Sequence, residues 1–209
     1  FFIFGFLSGL MGLSMSMIIR IELMNLNNYF YYYMLYYMMI FLHAFLMIFF
    51  MPMPIIIGSL SISRLPLMLM SSDLMFPRLY NFSFWLLIPS FMLFMLNMFI
   101  NNNINTGWTL YPPLINQNYI TLNFIIFSLH LYGISSIFSS INFISSIFII
   151  NNNNFFFYNL TLFIWSIIIT TILLFISIPI LSSAITMFIL DNNLNMNFFN
   201  PLGNGNPIL

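Results

Sequence analysis

Residues 29–58 read YFYYYMLYYMMIFLHAFLMIFFMPMPIIIG, a run in which His43 is the only side chain that titrates near neutral pH. An α-helix rises about 1.5 Å per residue, so about 20 such residues cross the hydrocarbon core of a bilayer. Strands of a membrane barrel alternate polar and apolar residues, and this run does not. The stretch therefore predicts a membrane-spanning helix with a histidine inside the lipid.

Four more apolar runs of similar length contain no Asp, Glu, Lys or Arg. We expect five spanning helices, at residues 1–19, 29–58, 82–100, 122–150 and 160–190. Asparagines, or the charged residues Arg20, Glu22 and Asp191, end four of these runs. The predicted fold class is an all-α integral membrane protein, with residues 1–209 forming a single transmembrane helical domain.

The composition excludes several classes of protein. Of the 209 residues, 62% are hydrophobic and 3% are charged, the formal net charge is zero, and there is no cysteine. A soluble domain has roughly a quarter of its residues charged, so a water-soluble protein is excluded. Nucleic acid is excluded as a partner because phosphate binding needs basic residues. Without cysteine there is no disulfide and no thiolate metal site.

His43 is the first candidate for chemistry. An ionisable side chain deep in a membrane helix is costly to bury, and it marks a functional site by default. A neutral imidazole there can bind a haem iron or copper through one nitrogen. The alternative is a histidine that hydrogen-bonds a neighbouring helix. The other histidine, His130, has no acid near it in sequence and is better explained as a packed residue.

The few charged residues also allow two interpretations each. Arg20 and Glu22 are either interfacial anchors that extend to water or, for the arginine, a donor to a buried cofactor. Asp73 is either a solvated loop acid or a proton-collecting carboxylate. Arg64 and Arg78 in the same loop place it on the inner side of the membrane by the positive-inside rule.

Several long motifs follow one another in a fixed order along the chain. They are HAF at 43–45 with MIFFM at 47–51, DLMFPR at 73–78, SFWLL at 83–87, TGWTLYPPL at 106–114, IFSLHL at 126–131, INFI at 141–144 and FFNPLG at 198–203. In sequence and order these motifs resemble subunit 1 of the haem-copper oxidase family. The resemblance covers the whole chain and corresponds to the N-terminal part of such a subunit, a larger multi-helix bundle.

The resemblance implies a haem site. His43 matches the histidine that is an axial ligand of the iron of the low-spin haem a. Arg20 matches an arginine that hydrogen-bonds the formyl group of that haem, and Trp108 and Tyr36 match aromatic residues near its polar edge. Glu22 matches a glutamate of the family that binds a cation.

The resemblance also implies a proton-uptake pathway. Asp73 matches the acid at its mouth, and Asn142, Ser135 and Ser136 match polar groups along it. The chain differs from the family at two positions, since Ile62 and Tyr80 replace asparagines of this pathway. An apolar side chain does not hold the waters that carry protons, so the replacement at residue 62 bears directly on proton uptake.

By the same resemblance, the remaining redox ligands lie beyond Leu209. They comprise the second axial histidine of haem a, the ligand of a second haem a, and the copper-binding histidines. The chain is thus expected to be a fragment that lacks the oxygen-reducing centre. The whole enzyme would pass electrons from cytochrome c to molecular oxygen, produce water and pump protons. It would be a multi-pass protein of the mitochondrial inner membrane, in contact with lipid and other oxidase subunits.

Other functions remain open at the level of the sequence. A non-catalytic membrane subunit, or an ion-coupled transporter, would use His43 and Asp73 to relay protons or only for packing. Many transporters contain inverted repeats, and none is recognisable in this sequence. A gene copy without a functional product is a further interpretation.

Overall fold

The computed structural model describes residues 1–24, 33–100, 107–112, 120–151 and 160–206. Within these ranges there is no strand, and the α-helices are α1 (Phe2–Met24), α2 (Tyr33–Phe45), α3 (Ser61–Met68), α4 (Pro77–Leu96), α5 (Ile120–Asn151) and α6 (Leu162–Leu194). In the part of the chain described, five helical stretches are long and apolar enough to cross a membrane. The predicted all-α membrane fold class is confirmed.

The second span, Tyr36–Met68, joins α2 to α3 through two π-helical stretches, Leu46–Phe50 and Met53–Leu60. Pro52 and Pro54 lie at this junction. A proline has no N–H and its ring clashes with the preceding turn, so a helix that continues through it widens or kinks. The wider π-helical turns keep the span continuous. In lipid this matters because the backbone N–H and C=O groups have no water to bond and have to bond one another.

Helix ends differ from the hydropathy runs for local reasons. The second span continues past residue 58 to Met68, because the serines and Arg64 end the apolar run without breaking the helix. The predicted start of this helix at residue 29 lies outside the described residues. α4 begins at Pro77 rather than at 82, since proline fits the first turn of a helix. α6 continues to Leu194 and ends where Asn195 adopts the left-handed conformation (φ 52°).

A ridge of glycines packs α1 against the second span. A Cβ atom on Gly5 would lie 2.6 Å from Cγ1 of Ile55 and 3.1 Å from the carbonyl oxygen of Met51. Gly9 and Gly12 continue the contact further along α1. Lipid supplies no hydrophobic drive for helix association, so close backbone approach over small residues stabilises this pair.

Polar groups connect α4 to α5 at a regular spacing. The Ser135 hydroxyl donates to the carbonyl of Ser83 at 2.6 Å, and the Ser90 hydroxyl donates to the carbonyl of Ser128 at 2.8 Å. The partners are spaced seven residues apart on both helices (83 and 90; 128 and 135), which keeps one seam in contact along antiparallel helices. All four serine side chains are buried.

The buried apolar residues form two clusters. The larger joins α1, the second span, α4, α5 and the end of α6, and its fully buried members include Phe41, Leu42, Leu46, Phe50, Phe94, Ile125 and Ile126. The smaller lies where α3, α5 and the start of α6 meet, and it includes Leu65, Phe143, Ile147 and Ile164. The larger cluster surrounds the part of the second span that carries His43.

We expect Gly5→Ala to destabilise the protein by about 1–3 kcal/mol, because the added methyl group would overlap a stiff β-branched side chain and press on a backbone carbonyl. Gly107→Ala is the matched control, since a Cβ there would meet only Oγ1 of Thr109 at 3.9 Å. Thermal unfolding of the purified protein in detergent measures both. Equal melting temperatures for the two variants would show that the glycine ridge does not hold α1 in place.

Candidate functional site

His43 hydrogen-bonds the backbone of the neighbouring helix. Its Nδ1 atom lies 2.8 Å from the carbonyl oxygen of Gly12 in α1. A carbonyl oxygen only accepts hydrogen bonds, so Nδ1 carries the proton and Nε2 keeps a free electron pair. A histidine that ligates a metal has the same arrangement, with one ring nitrogen donating to a carbonyl and the other facing the metal.

Local sequence explains why Gly12 reaches the imidazole. A Cβ atom on Gly12 would lie 2.8 Å from Sδ of Met47 and 3.5 Å from Cβ of Leu46. The missing side chain therefore lets α1 approach the turn that follows His43. Leu42 and Leu46 on the same helix are fully buried. The bond to the Gly12 carbonyl limits the rotation of the imidazole.

The other predicted haem contacts on α1 and α2 lie toward one end of this helix pair. The two helices are antiparallel, so residues after Gly12 and residues before His43 extend in the same direction. Arg20 is exposed, about 12 Å along α1 from Gly12. Tyr36 is half-buried, about 10 Å along α2 from His43. Glu22, predicted to bind a cation, is 7% exposed near the end of α1.

Trp108 lies in the short described segment 107–112 and is 51% exposed. It lines a cavity of about 520 Å³ between the second span, α5 and α6, together with Phe45, Phe49 and Phe188. His43 does not line this cavity. Contact between Trp108 and a haem on His43 therefore stays a prediction.

The loop that carries Asp73 is tied to α5 by an asparagine. Asn142 is fully buried, its Oδ1 accepts the N–H of Phe76 at 3.1 Å, and its Nδ2 donates to the carbonyl of Phe76 at 3.0 Å. Asp73 is exposed, and its carboxylate accepts the N–H of Leu74 at 2.7 Å. The structure thus brings together two of the predicted pathway residues, one at the surface and one just below it.

The two predicted pathway serines lie further along α5. Ser135 bonds to Ser83 as described above, and Ser139 Oγ lies 3.3 Å from the Ser83 hydroxyl. The Ser136 hydroxyl donates to the carbonyl of Gly133 in its own helix at 2.8 Å. A cavity of about 30 Å³ borders Ser135, Ser136 and Ser139. A cavity of this volume is large enough to hold a water molecule.

Tyr80 lies between these two polar groups, because residue 80 falls between the contact of Phe76 with Asn142 and that of Ser83 with Ser135. Its hydroxyl donates to the carbonyl of Gly58 over 3.4 Å. Ile62 packs against the smaller apolar cluster. Of the two positions that the motif resemblance marks as replaced asparagines, residue 80 thus has a hydroxyl and residue 62 an apolar side chain, and their effect on proton uptake stays a prediction.

Sequence reasoning gave a hydrogen bond from His43 to a neighbouring helix as its alternative interpretation, and the structure contains that bond, but the partner, Gly12, was not predicted. Gly12 was recognisable as part of a small-residue ridge, but a backbone carbonyl carries no signature of its own. Within the described residues, no group of three or more His, Cys, Asp or Glu side chains is arranged to hold a metal ion. A haem needs only one such ligand from this part of the chain, so the single histidine is the relevant feature.

Comparison with known proteins gives the family of the chain. The family described as cytochrome c and quinol oxidase polypeptide I matches residues 1–209. The chain belongs to this family. It is 39% identical to cytochrome c oxidase subunit 1 of Yarrowia lipolytica over 214 residues and 39% identical to that of Eremothecium gossypii over 220 residues. It is also 38% identical to cytochrome c oxidase subunit 1 of the scallop Pecten maximus over 209 residues.

The matches cover nearly the whole chain but less than half of each oxidase relative. They include 100% of the chain for the two fungal proteins and 98% for the scallop protein. The chain spans 40% of the length of each fungal relative and 44% of the scallop relative. The chain is therefore a multi-pass membrane member of the oxidase family that corresponds to part of the length of these proteins.

We expect Asn142→Leu to loosen the loop that carries Asp73, since the N–H of Phe76 loses its partner and its carbonyl keeps only the N–H of Tyr80, at a cost of about 1 kcal/mol. Hydrogen exchange of residues 71–77 should become faster. Ser145→Ala is the matched control on the same helix, because the Ser145 hydroxyl bonds only the carbonyl of Asn142 in its own helix, at 3.0 Å. Unchanged exchange in the leucine variant would contradict the role of Asn142 as a clamp.

Proposed function

We propose that this chain is part of the catalytic subunit of a cytochrome c oxidase, a proton-translocating oxidoreductase. The whole enzyme passes electrons from cytochrome c to molecular oxygen, forms water and couples this transfer to proton pumping. Family membership, the three relatives and the spanning helices support the proposal. The proposal includes a location in the mitochondrial inner membrane and assembly with the other oxidase subunits.

The observation that carries the proposal is the family match over residues 1–209. By that resemblance His43 would hold a low-spin haem a, and the hydrogen bond between its Nδ1 and the Gly12 carbonyl leaves Nε2 free to bind the iron. The bond also raises the basicity of Nε2 and fixes the plane of the ring. The haem, when bound, supplies a centre that accepts and passes on one electron. A second haem a and copper belong to the whole subunit in this proposal.

The outer residues of the site would tune that haem. Arg20 carries a fixed charge and five donors, so it suits a hydrogen bond to a polar substituent at the haem edge. Tyr36 and Trp108 offer an apolar ring and one polar atom each, which suits the same edge at a membrane surface. Glu22 is the proposed ligand of a cation at the end of α1. Each of these assignments rests on the family resemblance, together with the positions given above.

Proton uptake from the inner side is the proposed role of Asp73. An exposed carboxylate collects protons from water, and Ser135 and Ser136 border the cavity with room for one water molecule. Hydroxyl groups both donate and accept hydrogen bonds, so they can hold such a water in line. Asn142 positions the loop, because its amide bonds both polar groups of Phe76.

In the complete oxidase, we expect His43→Ala to abolish the absorbance band of the low-spin haem and electron transfer to oxygen with it. The substitution removes the iron ligand and leaves no other group on that turn of α2 to replace it. His130→Ala is the control, since the family resemblance gives it no ligand role, although its Nδ1 atom likewise bonds a backbone carbonyl, that of Ile126 at 2.7 Å. A low-spin haem band that survives in the His43 variant would exclude this histidine as the ligand.

Asp73→Asn should slow proton uptake from the inner side by about tenfold or more, because an amide does not exchange a proton near neutral pH. Proton release and uptake per electron, measured on the enzyme in vesicles, would report the change. Asp73→Glu keeps the carboxylate and should retain most of the uptake. Equal uptake by the asparagine variant and the unchanged protein would mean that protons enter elsewhere.

A further inference from the structure

Ser8 makes a hydrogen bond between helices that the other serines of α1 do not make. Its side chain is fully buried, and its Oγ lies 2.7 Å from the carbonyl oxygen of Phe50 in the second span and 2.9 Å from that of Gly5 in its own helix. Ser14 and Ser16 each bond only a carbonyl of α1, both at 2.7 Å. Serines in membrane helices commonly bond their own helix in this way, so Ser8 is the exception.

The carbonyl that Ser8 reaches lacks its normal helical partner. In an α-helix the carbonyl of residue 50 would accept the N–H of residue 54, and Pro54 has none. The next N–H, of Ile55, donates to the carbonyl of Met51 instead, over 3.4 Å. Phe50 is fully buried, so no water reaches this oxygen. The Ser8 hydroxyl therefore satisfies a carbonyl that the proline would leave without a donor in the membrane.

This bond pairs with the one that orients His43. Ser8 donates from α1 to the second span, and His43 donates from the second span to the carbonyl of Gly12 in α1. Ser8 and Gly12 lie one turn apart on the same helix, and both bonds cross the same interface. Two bonds in opposite directions fix how far the helices can slide and how far each can rotate.

We propose that Ser8 is a positioning residue for the axial histidine, a role that rests on the proposed function of His43 as a haem ligand. Because Ser8 donates a hydrogen bond to the Phe50 carbonyl, it fixes the position of the second span along α1, and so the position at which His43 meets Gly12. A hydrogen bond from Nδ1–H makes Nε2 a stronger electron donor, which favours the oxidised iron. Weakening that bond therefore moves the reduction potential of the haem in the positive direction.

The test uses the complete oxidase with single substitutions and one double substitution. Ser8→Ala should keep the absorbance band of the low-spin haem and raise its midpoint potential, whereas Ser14→Ala should leave the potential unchanged. Pro54→Ala supplies an N–H at residue 54 that can bond the Phe50 carbonyl. Adding Ser8→Ala to Pro54→Ala should therefore shift the potential much less than Ser8→Ala does alone.

Two results would overturn the role of Ser8: the same potential in the Ser8 and Ser14 variants, or an equal shift from Ser8→Ala with and without proline at 54. If the Ser8→Ala oxidase fails to assemble, the yield of haem-loaded complex becomes the readout. Recovery of that yield by Pro54→Ala supports the proposal, and lack of recovery overturns it. A low-spin haem band that persists in His43→Ala refutes the ligand assignment itself, so failure of the proposed function is distinguishable from failure of this inference.

Discussion

The hydrocarbon core of a bilayer offers no hydrogen-bonding partner, and this constraint governs every polar group in the spanning helices. Most hydroxyl groups of the described helices meet it by bonding a carbonyl of their own helix, as Ser14 and Thr171 do. The informative exceptions are the groups that bond another helix. They include Ser8, His43, Ser90 and Ser135, each of which joins two spans.

The candidate site follows from this constraint together with the prolines and glycines of two helices. Pro54 removes an N–H from the second span, and the resulting free carbonyl at Phe50 attracts a donor from α1. Gly12 has no side chain, so the second span comes close to α1 and the Gly12 carbonyl accepts a hydrogen bond from His43. The orientation of the imidazole is therefore a consequence of backbone chemistry. An imidazole oriented in this way has a partner for Nδ1 and leaves Nε2 available to a ligand.

Hydropathy alone predicts the five spans, because the apolar run lengths match the thickness of a bilayer. It misplaces several ends, since Arg64 stops an apolar run but not a helix, and Pro77 starts a helix ahead of the apolar residues. Periodicity identifies the glycine face of α1 but not the rotation of the neighbouring helix, so the bond between His43 and Gly12 is not predictable from it. The cofactor roles of Arg20, Tyr36 and Trp108 come from motif resemblance, and no bond among the described residues would have suggested them.

Asn142 on α5 and Tyr80 on α4 show how the same constraint gives two side chains different roles. Asn142 commits a donor and an acceptor to one residue, Phe76, so its amide cannot turn without losing both bonds and leaving the Phe76 carbonyl with the N–H of Tyr80 alone. Tyr80 makes one long bond, to the carbonyl of Gly58. A bond near the distance limit is weak, so this hydroxyl can exchange its partner at little cost. A side chain that holds a loop needs fixed partners, whereas a side chain that passes a proton needs partners that it can exchange. The two bonds of Asn142 suit the first of these roles.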